Sequence, residues 1–433
     1  MSAPDKITQL LDGTYEDPDG LGKQRVDTHS LVIAPKLDGM ERDLVKALDL
    51  GRHVAVVSDR TTHAILGRRV ERALAGLGTV QSIILPEAPH PDDDTVATIR
   101  RETTGADALI AIGSGTINDL CKYASAEDKK PYAVFATAPS MNGYTSVNAA
   151  ITVHGHKKSL AAQAPRGAFF DLAILAAAPK RLIRSGLGDS LCRATSQADW
   201  LLAHLLLDQP YRLLPYALLQ DDEAPLFAQS AALMAGDLAA MERLVRTLVL
   251  SGFGTAIHGN SQPASQGEHL ISHYIDMLGD PARPLVYHGE QIGVTTLSMA
   301  RLQQEMLERP PRLGPDSESA ASFAARYGET LGPSCWADFV HKRLSAEKAD
   351  QLNDRIARSW PDIAQRIAAI SLAPDHLEKV LKAAGAEVTP KAIHLPRVFY
   401  DQALLRCREI RNRYTFLDLA ANAGKLAPML AAL

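Results

Sequence analysis

The stretch ADALIAIGSGTINDLCKY, Ala106–Tyr123, decides the reading of the fold. Its run ALIAI is apolar at every position, as a strand covered on both faces requires; a half-exposed strand would alternate. Glycines then turn the chain, and a helical pattern runs through Ile117–Ala124. The same unit recurs on either side. HVAVVSD (His53–Asp59) leads into a helical stretch around His63–Leu77. VQSIILP (Val80–Pro86) leads into the capped helix of DDDTVATIRRET, and PYAVFATAPS (Pro131–Ser140) into a polar loop. Buried strands alternating with helices predict βαβ units and a parallel sheet.

From about Arg181 the texture changes. Ala- and Leu-rich segments of helical period take over, broken by GDPARP (Gly279–Pro284) and ERPPRLGP (Glu308–Pro315). The expected organisation is an α/β nucleotide-binding domain over 1–180 and an all-helical domain over 181–433, joined near Ala178–Leu187. Pro310–Ala320 is expected to be a mobile surface loop.

The 433 residues fit two or three domains. With 46 Lys plus Arg against 50 Asp plus Glu, the net charge of −4 supplies no basic field for a phosphate backbone, which argues against a nucleic-acid partner. Cys121, Cys192, Cys335 and Cys407 are scattered without a CxxC pair, so neither a disulfide framework nor a thiolate zinc knuckle is expected. The first twenty residues lack a basic segment followed by an apolar one. The most apolar run, LLAHLLL from Leu201, stops at Asp208, far short of the roughly 18–20 residues that span a bilayer. These features point to the cytoplasm.

Three loops at predicted strand ends are candidates for chemistry. In GSGTINDL (Gly113–Leu120) the glycines allow a pyrophosphate to approach the backbone at a helix N-terminus, although the third glycine of GxGxxG is absent; a tight turn without ligand is the plain alternative. Asp119 is equally a partner for the helix dipole. Asp59 closes a strand, where an acid either accepts a hydrogen bond from a ribose hydroxyl or caps the next helix. TAPSMNGYTSVNA (Thr137–Ala149) is dense in hydroxyls and amides, at a strand edge where open α/β sheets hold ligands.

The fourth candidate lies in the helical half: GNSQPASQGEHLISHYIDM followed by YHGEQIG. His269 and His273 stand at i and i+4 and share one helix face, and His288 opens the next helix. Convergent histidines with a carboxylate, for which Asp189 in SGLGDS is the candidate, suit a catalytic divalent metal with an open position. A lone histidine would more simply be a hydrogen-bonded structural residue.

At these residues the chain resembles the sn-glycerol-1-phosphate dehydrogenase family, within the iron-containing alcohol dehydrogenase and dehydroquinate synthase-like superfamily. GSGTINDLCKY, TAPSMNGYTS, GLGDSLCRATSQADW, QPASQGEHLISH and HGEQIG occur in family order between about His53 and Leu297. The resemblance implies an N-terminal α/β nucleotide-binding domain and a helical C-terminal domain. It also implies NAD or NADP, one divalent metal (zinc, nickel or iron), and a homodimer. Residue by residue, it assigns cofactor contacts to Gly115, Thr116, Asn118 and Asp119, to the stretch Thr137–Ser140, and to Ser146, beside the Gly113 turn and Asp59. Asp189, His269 and His288 match metal ligands, and Asp189, Asn142 and His273 match substrate positions. The family commonly has an acid where this chain has Asn142, and a lysine where it has Arg193.

The implied reaction is an NAD(P)-linked interconversion of sn-glycerol 1-phosphate and dihydroxyacetone phosphate in a cleft between the domains, with His273 or metal-bound water taking the proton. The rivals are a dehydrogenase for another small alcohol (a phosphonate or unphosphorylated polyol), a dehydroquinate synthase-like lyase, and a nucleotide-binding sensor without turnover. No motif is assigned past Arg301.

Overall fold

The computed structural model describes residues 5–430 and Leu433. Six parallel strands form one sheet: β1 (Ser30–Ala34), β2 (His53–Asp59), β3 (Thr79–Leu85), β4 (Ala108–Gly113), β5 (Tyr132–Ala136) and β6 (Gly167–Asp171), in the order β1-β6-β5-β4-β2-β3. Every residue of β4, β5 and β6 is buried, as their unbroken apolar runs require of a sheet covered on both faces. Val54, Val56, Ile110, Ile112, Phe135 and Phe169 lie in one apolar core with Leu66, Val70 and Leu74 of the helical stretch after β2.

The four strands read from sequence are present. Two further strands, β1 (SLVIA) and β6 (GAFFD), were not read from the sequence. An antiparallel hairpin, Asn148–Val153 with His156–Ala161, was likewise unforeseen.

Two compact units divide the chain. The first comprises 1–190 with 212–261, the second 191–211 with 262–433. This differs from a single division at residue 180 in where the helices belong. The long helix Leu238–His258 goes with the sheet: Thr145 Oγ1 donates to Val249 O at 2.8 Å, and Gly252 keeps the helix backbone against Thr145 and Asn142, where a Cβ would collide. Arg246 adds ion pairs to Asp5 and Asp222. Helical period names a helix, not the body it packs on.

Among the described residues the second unit holds only helices, around a core that includes Leu202, Leu270, Tyr274, Leu302, Phe339 and Tyr400. Residues 310–319 form no regular element but are tied down. Asn353 bonds both N–H and C=O of Leu313, Gly314 donates to Asn422 O, and Arg408 holds Asp316 at 2.7 Å. The expectation of a mobile loop there is corrected: its proline-rich composition forbids helix, but specific partners fix it. No described helix is long and apolar enough to cross a membrane.

Candidate active site

β2 pairs with β3 on one side and β4 on the other, so the chain reverses direction across the sheet between β2 and β4. In open α/β sheets the carboxyl ends flanking such a reversal hold the ligand. The loops at these ends are those after Asp59 and Gly113. Helix α1 (Gly115–Glu127) starts directly beyond Gly113, with Ser114 at its N-cap making no side-chain capping bond. The leading N–H groups of Gly115 and Thr116 therefore point out of the helix end without a serine oxygen over them, the arrangement that suits a phosphate. A Cβ at Gly115 would lie 2.9 Å from Met141 Sδ, so close packing already explains this glycine.

The Thr137–Ser140 stretch is fastened beside that turn. Thr137 N–H donates to Gly113 O at 3.1 Å, Tyr144 OH to Ala138 O, and Ser185 Oγ to Ser140 O at 2.9 Å. Asp59 Oδ1 accepts from Thr62 N–H at 2.7 Å, and Asp59 N–H donates to Thr62 Oγ1 at 3.0 Å, completing a capping box. Its helix-cap role is thus present in the fold.

Behind the loops lies a buried strut that sequence reading did not find. Lys122, fully buried, donates to Gly143 O, to Ser146 Oγ at 3.1 Å and to Asn148 O at 3.0 Å, and stands 3.6 Å from Asp119 Oδ1. Asp119 Oδ2 accepts Ala150 N–H at 3.0 Å. Burial pushes the Asp119 carboxyl up and the Lys122 ammonium down, and their pairing opposes both shifts. Asp119 and Ser146 therefore tie α1 to the loop after β5. Asn118, expected at the cofactor, has internal partners. It is fully buried, its amide bonds Asp119 Oδ1 and Tyr132 OH, and its N–H is spent on Ser114 O.

Asp189 is buried in the last turns of α2 (Lys180–Leu191), and its Oδ2 accepts the Asn142 N–H at 2.7 Å. Two expected substrate residues are thereby joined. The bond uses the Asn142 backbone, so it is indifferent to whether that side chain is amide or acid.

The histidines meet in the second unit. α3 (Gly267–Leu278) carries His269 and His273, and α4 (His288–Leu307) opens on His288. The Nε2 atoms of His269 and His288 stand 3.3 Å apart. Two nitrogens bound at about 2.0–2.1 Å to one tetrahedral cation would be separated by about 3.4 Å, so the pair has the bite of a metal site. The ring centroid of His273 lies 6.1 Å from that of His269 and 6.4 Å from that of His288, beside the pair.

Glu268 fixes the first ring. Its Oε1 stands 2.9 Å from His269 Nδ1, while Gln266 N–H (2.8 Å) and the Thr195 hydroxyl (3.0 Å) hold the carboxylate. Burial alone would raise this carboxyl, but its bond to His269 and the nearby backbone N–H groups bring it below the usual range. An ionised acceptor at Nδ1 puts the proton there and leaves the Nε2 lone pair facing His288. Cys192 Sγ also clusters with Glu268 and His269 but points to Ala264 O at 3.6 Å.

His273 has a different neighbour. Arg411 Nη2 lies 3.1 Å from His273 Nδ1, and a guanidinium only donates, so Nδ1 accepts and Nε2 carries the hydrogen. With Nδ1 so engaged, Nε2–H is the donor that His273 presents. Neither Glu268 nor Arg411 was found from sequence. Glu268 was masked by the adjacent histidine, and Arg411 lies 138 residues from its partner.

Comparison with known proteins follows the same lines. The iron-containing alcohol dehydrogenase family profile matches residues 32–179. A glycerol-1-phosphate dehydrogenase of Bacillus velezensis, named for NAD(P)+, is 30% identical over 345 residues, covering 74% of this chain and 86% of its own. The enzyme of the same name from Pyrococcus furiosus is 35% identical over 260 residues, 60% of this chain and 74% of its own. In fold, the chain resembles the sulfoacetaldehyde reductase of Bifidobacterium kashiwanohense crystallised with NAD+, with a TM-score of 0.61 at 16% identity over 93% of this chain and 96% of that one.

Proposed function

The chain belongs to the glycerol-1-phosphate dehydrogenase family of NAD(P)-dependent alcohol dehydrogenases, and from that membership we propose that it interconverts sn-glycerol 1-phosphate and dihydroxyacetone phosphate with the help of one divalent metal. The observation that carries the metal is the 3.3 Å approach of two imidazole nitrogens, with the far side of one ring held by an ionised carboxylate. In this reading His269 and His288 are two ligands and Asp189 is the third.

When bound, NAD(P) supplies or accepts the hydride, and the metal supplies a Lewis acid for the substrate oxygen. The residues of the chain bind and orient. The N–H groups at the start of α1 take the pyrophosphate, with Thr137 and Ser140 beside it. Asp59 closes the neighbouring strand end, within the crevice where a ribose would lie. Asn142 N–H steadies Asp189, Glu268 keeps the His269 lone pair turned to its task, and His273 donates to the substrate from the next helical turn. Holding both reactants in register is the main contribution of such a site.

The test is a panel of ketones (dihydroxyacetone phosphate, dihydroxyacetone, a phosphonate analogue) with NADH and NADPH, on protein stripped of metal and reloaded with zinc, nickel or iron. Metal-dependent reduction of dihydroxyacetone phosphate above the others is expected. Equal turnover after stripping would remove the metal from this reading, and preference for an unphosphorylated ketone would replace the substrate.

A further inference from the structure

The first turn of α3 is held from outside. Its N-cap, Gln266, makes no side-chain capping bond, and the leading N–H of Gly267 is taken instead by Asp199 Oδ2 at 2.9 Å, from the helix Arg193–Leu207. Gly267 permits this approach: a Cβ there would lie 2.8 Å from Asp199 Oδ2 and would also strike Met299 of α4. Asp199 Oδ1 accepts the Phe416 N–H at 2.9 Å and the Gln303 amide at 3.2 Å. One fully buried carboxyl group thus caps the starts of two helices, α3 and Phe416–Asn422, and reaches α4.

Gln303 closes a ring of bonds behind His269. Its amide nitrogen also donates to Thr195 O at 3.0 Å, and the Thr195 hydroxyl stands 3.0 Å from Glu268 Oε2, with Cys192 O at 3.1 Å as its other acceptor. Thr195 and Asp199, at i and i+4, share one face of their helix. That face grips two successive residues of α3: Asp199 holds Gly267, and Thr195 holds Glu268. Successive residues point about 100° apart around a helix axis, so the two grips fix α3 in rotation as well as in height. His269 comes next, and its ring leaves the helix in the direction the grip sets. The Phe416 bond gives the chain beyond Arg301 a part in the same frame.

We infer that Asp199, with Gln303, is a positioning residue for the histidine site: it holds the first turn of α3 and the Glu268 carboxylate in the register at which His269 Nε2 faces His288. This rests on the proposed metal site and names what keeps one of its ligands in place.

The test compares wild type with Asp199→Asn, whose amide has a single accepting atom, and Gln303→Met, which leaves Asp199 intact but cuts its link to Thr195. Ile363→Ala, in the same helical core but outside these bonds, controls for lost stability. Zinc affinity is measured by chelator competition. Ring-nitrogen NMR shifts of the metal-free protein report which nitrogen of His269 carries the hydrogen. Asp199→Asn is expected to weaken zinc binding about 10-fold and to mix the two tautomers of His269. Gln303→Met should act in the same direction and less, and decides the matter if Asp199→Asn does not fold. Ile363→Ala should lose stability with both readouts unchanged. Unaltered zinc affinity and tautomer in the folded variants would overturn the inference, as would an equal loss of zinc affinity in Ile363→Ala. If wild type binds no zinc, the proposed metal falls, while the tautomer of His269 still decides the role of Asp199.

Discussion

The strand-end loops and the helical histidine cluster solve the same problem in opposite ways. At the ends of β2, β4 and β5 the backbone is turned outward, while side chains such as Lys122, Asp119, Asn118 and Ser146 are turned inward as struts. On α3 and α4 the backbone is consumed by the helix, and it is the side chains of His269, His273 and His288 that converge. A loop built on backbone donors tolerates many side chains but needs a rigid support. A site built on imidazoles needs each ring held in one tautomer. The two regions should therefore fail differently when their supports are removed.

The largest effect is expected at the strut. Lys122→Met leaves the Asp119 carboxylate buried without its cation, and breaking such a pair is worth about 3–5 kcal/mol. Denaturant midpoints should fall accordingly and NAD(P) affinity with them, while metal content in the folded fraction stays at the wild-type level. A loss under about 1 kcal/mol would mean that the loop is held by something else.

On the helical side, Glu268→Gln removes the charge that orients His269. Metal affinity, measured by competition with a chromogenic chelator, should weaken about 10–100-fold, the usual effect of losing such an outer partner. Nucleotide affinity should not change. If metal binding is unaltered while nucleotide binding weakens, the contrast between the two regions is drawn in the wrong place.

Asp59→Ala carries the smallest effect and sharpens the contrast most. Loss of the capping box should lower stability by about 0.5–2 kcal/mol. If capping is all that Asp59 does, affinities for NAD and NADP fall together. A selective loss of NAD would show a side chain acting directly at a strand end, because an acid accepts from the ribose hydroxyl and repels the 2′-phosphate.

How much of this was legible follows from the range of each interaction. The βαβ pattern and the Gly113–Asp119 turn were readable because they are local, and the shared face of His269 and His273 follows from helical spacing. The depth of Asn118 was not legible, because a motif gives a position in the chain and not a depth: the helix turns that amide into the interior. Lys122 and Glu268 sat inside quoted motifs yet passed unnoticed, since nothing local says that their partners are Ser146 and Thr195.

The sequence by itself determined the strands β2 to β5, the helical texture beyond them and which face of α3 carries imidazole, because these depend on backbone preference and periodicity over a few residues. Only the tertiary structure decided the strand order that reverses between β2 and β4, and the attachment of Leu238–His258 to the sheet. It alone decided the meeting of His269 with His288 and the arrival of Arg411 at His273 from 138 residues away. Those depend on how buried surfaces fit once the elements exist, and complementarity between distant side chains leaves no period in the chain for a reader to find.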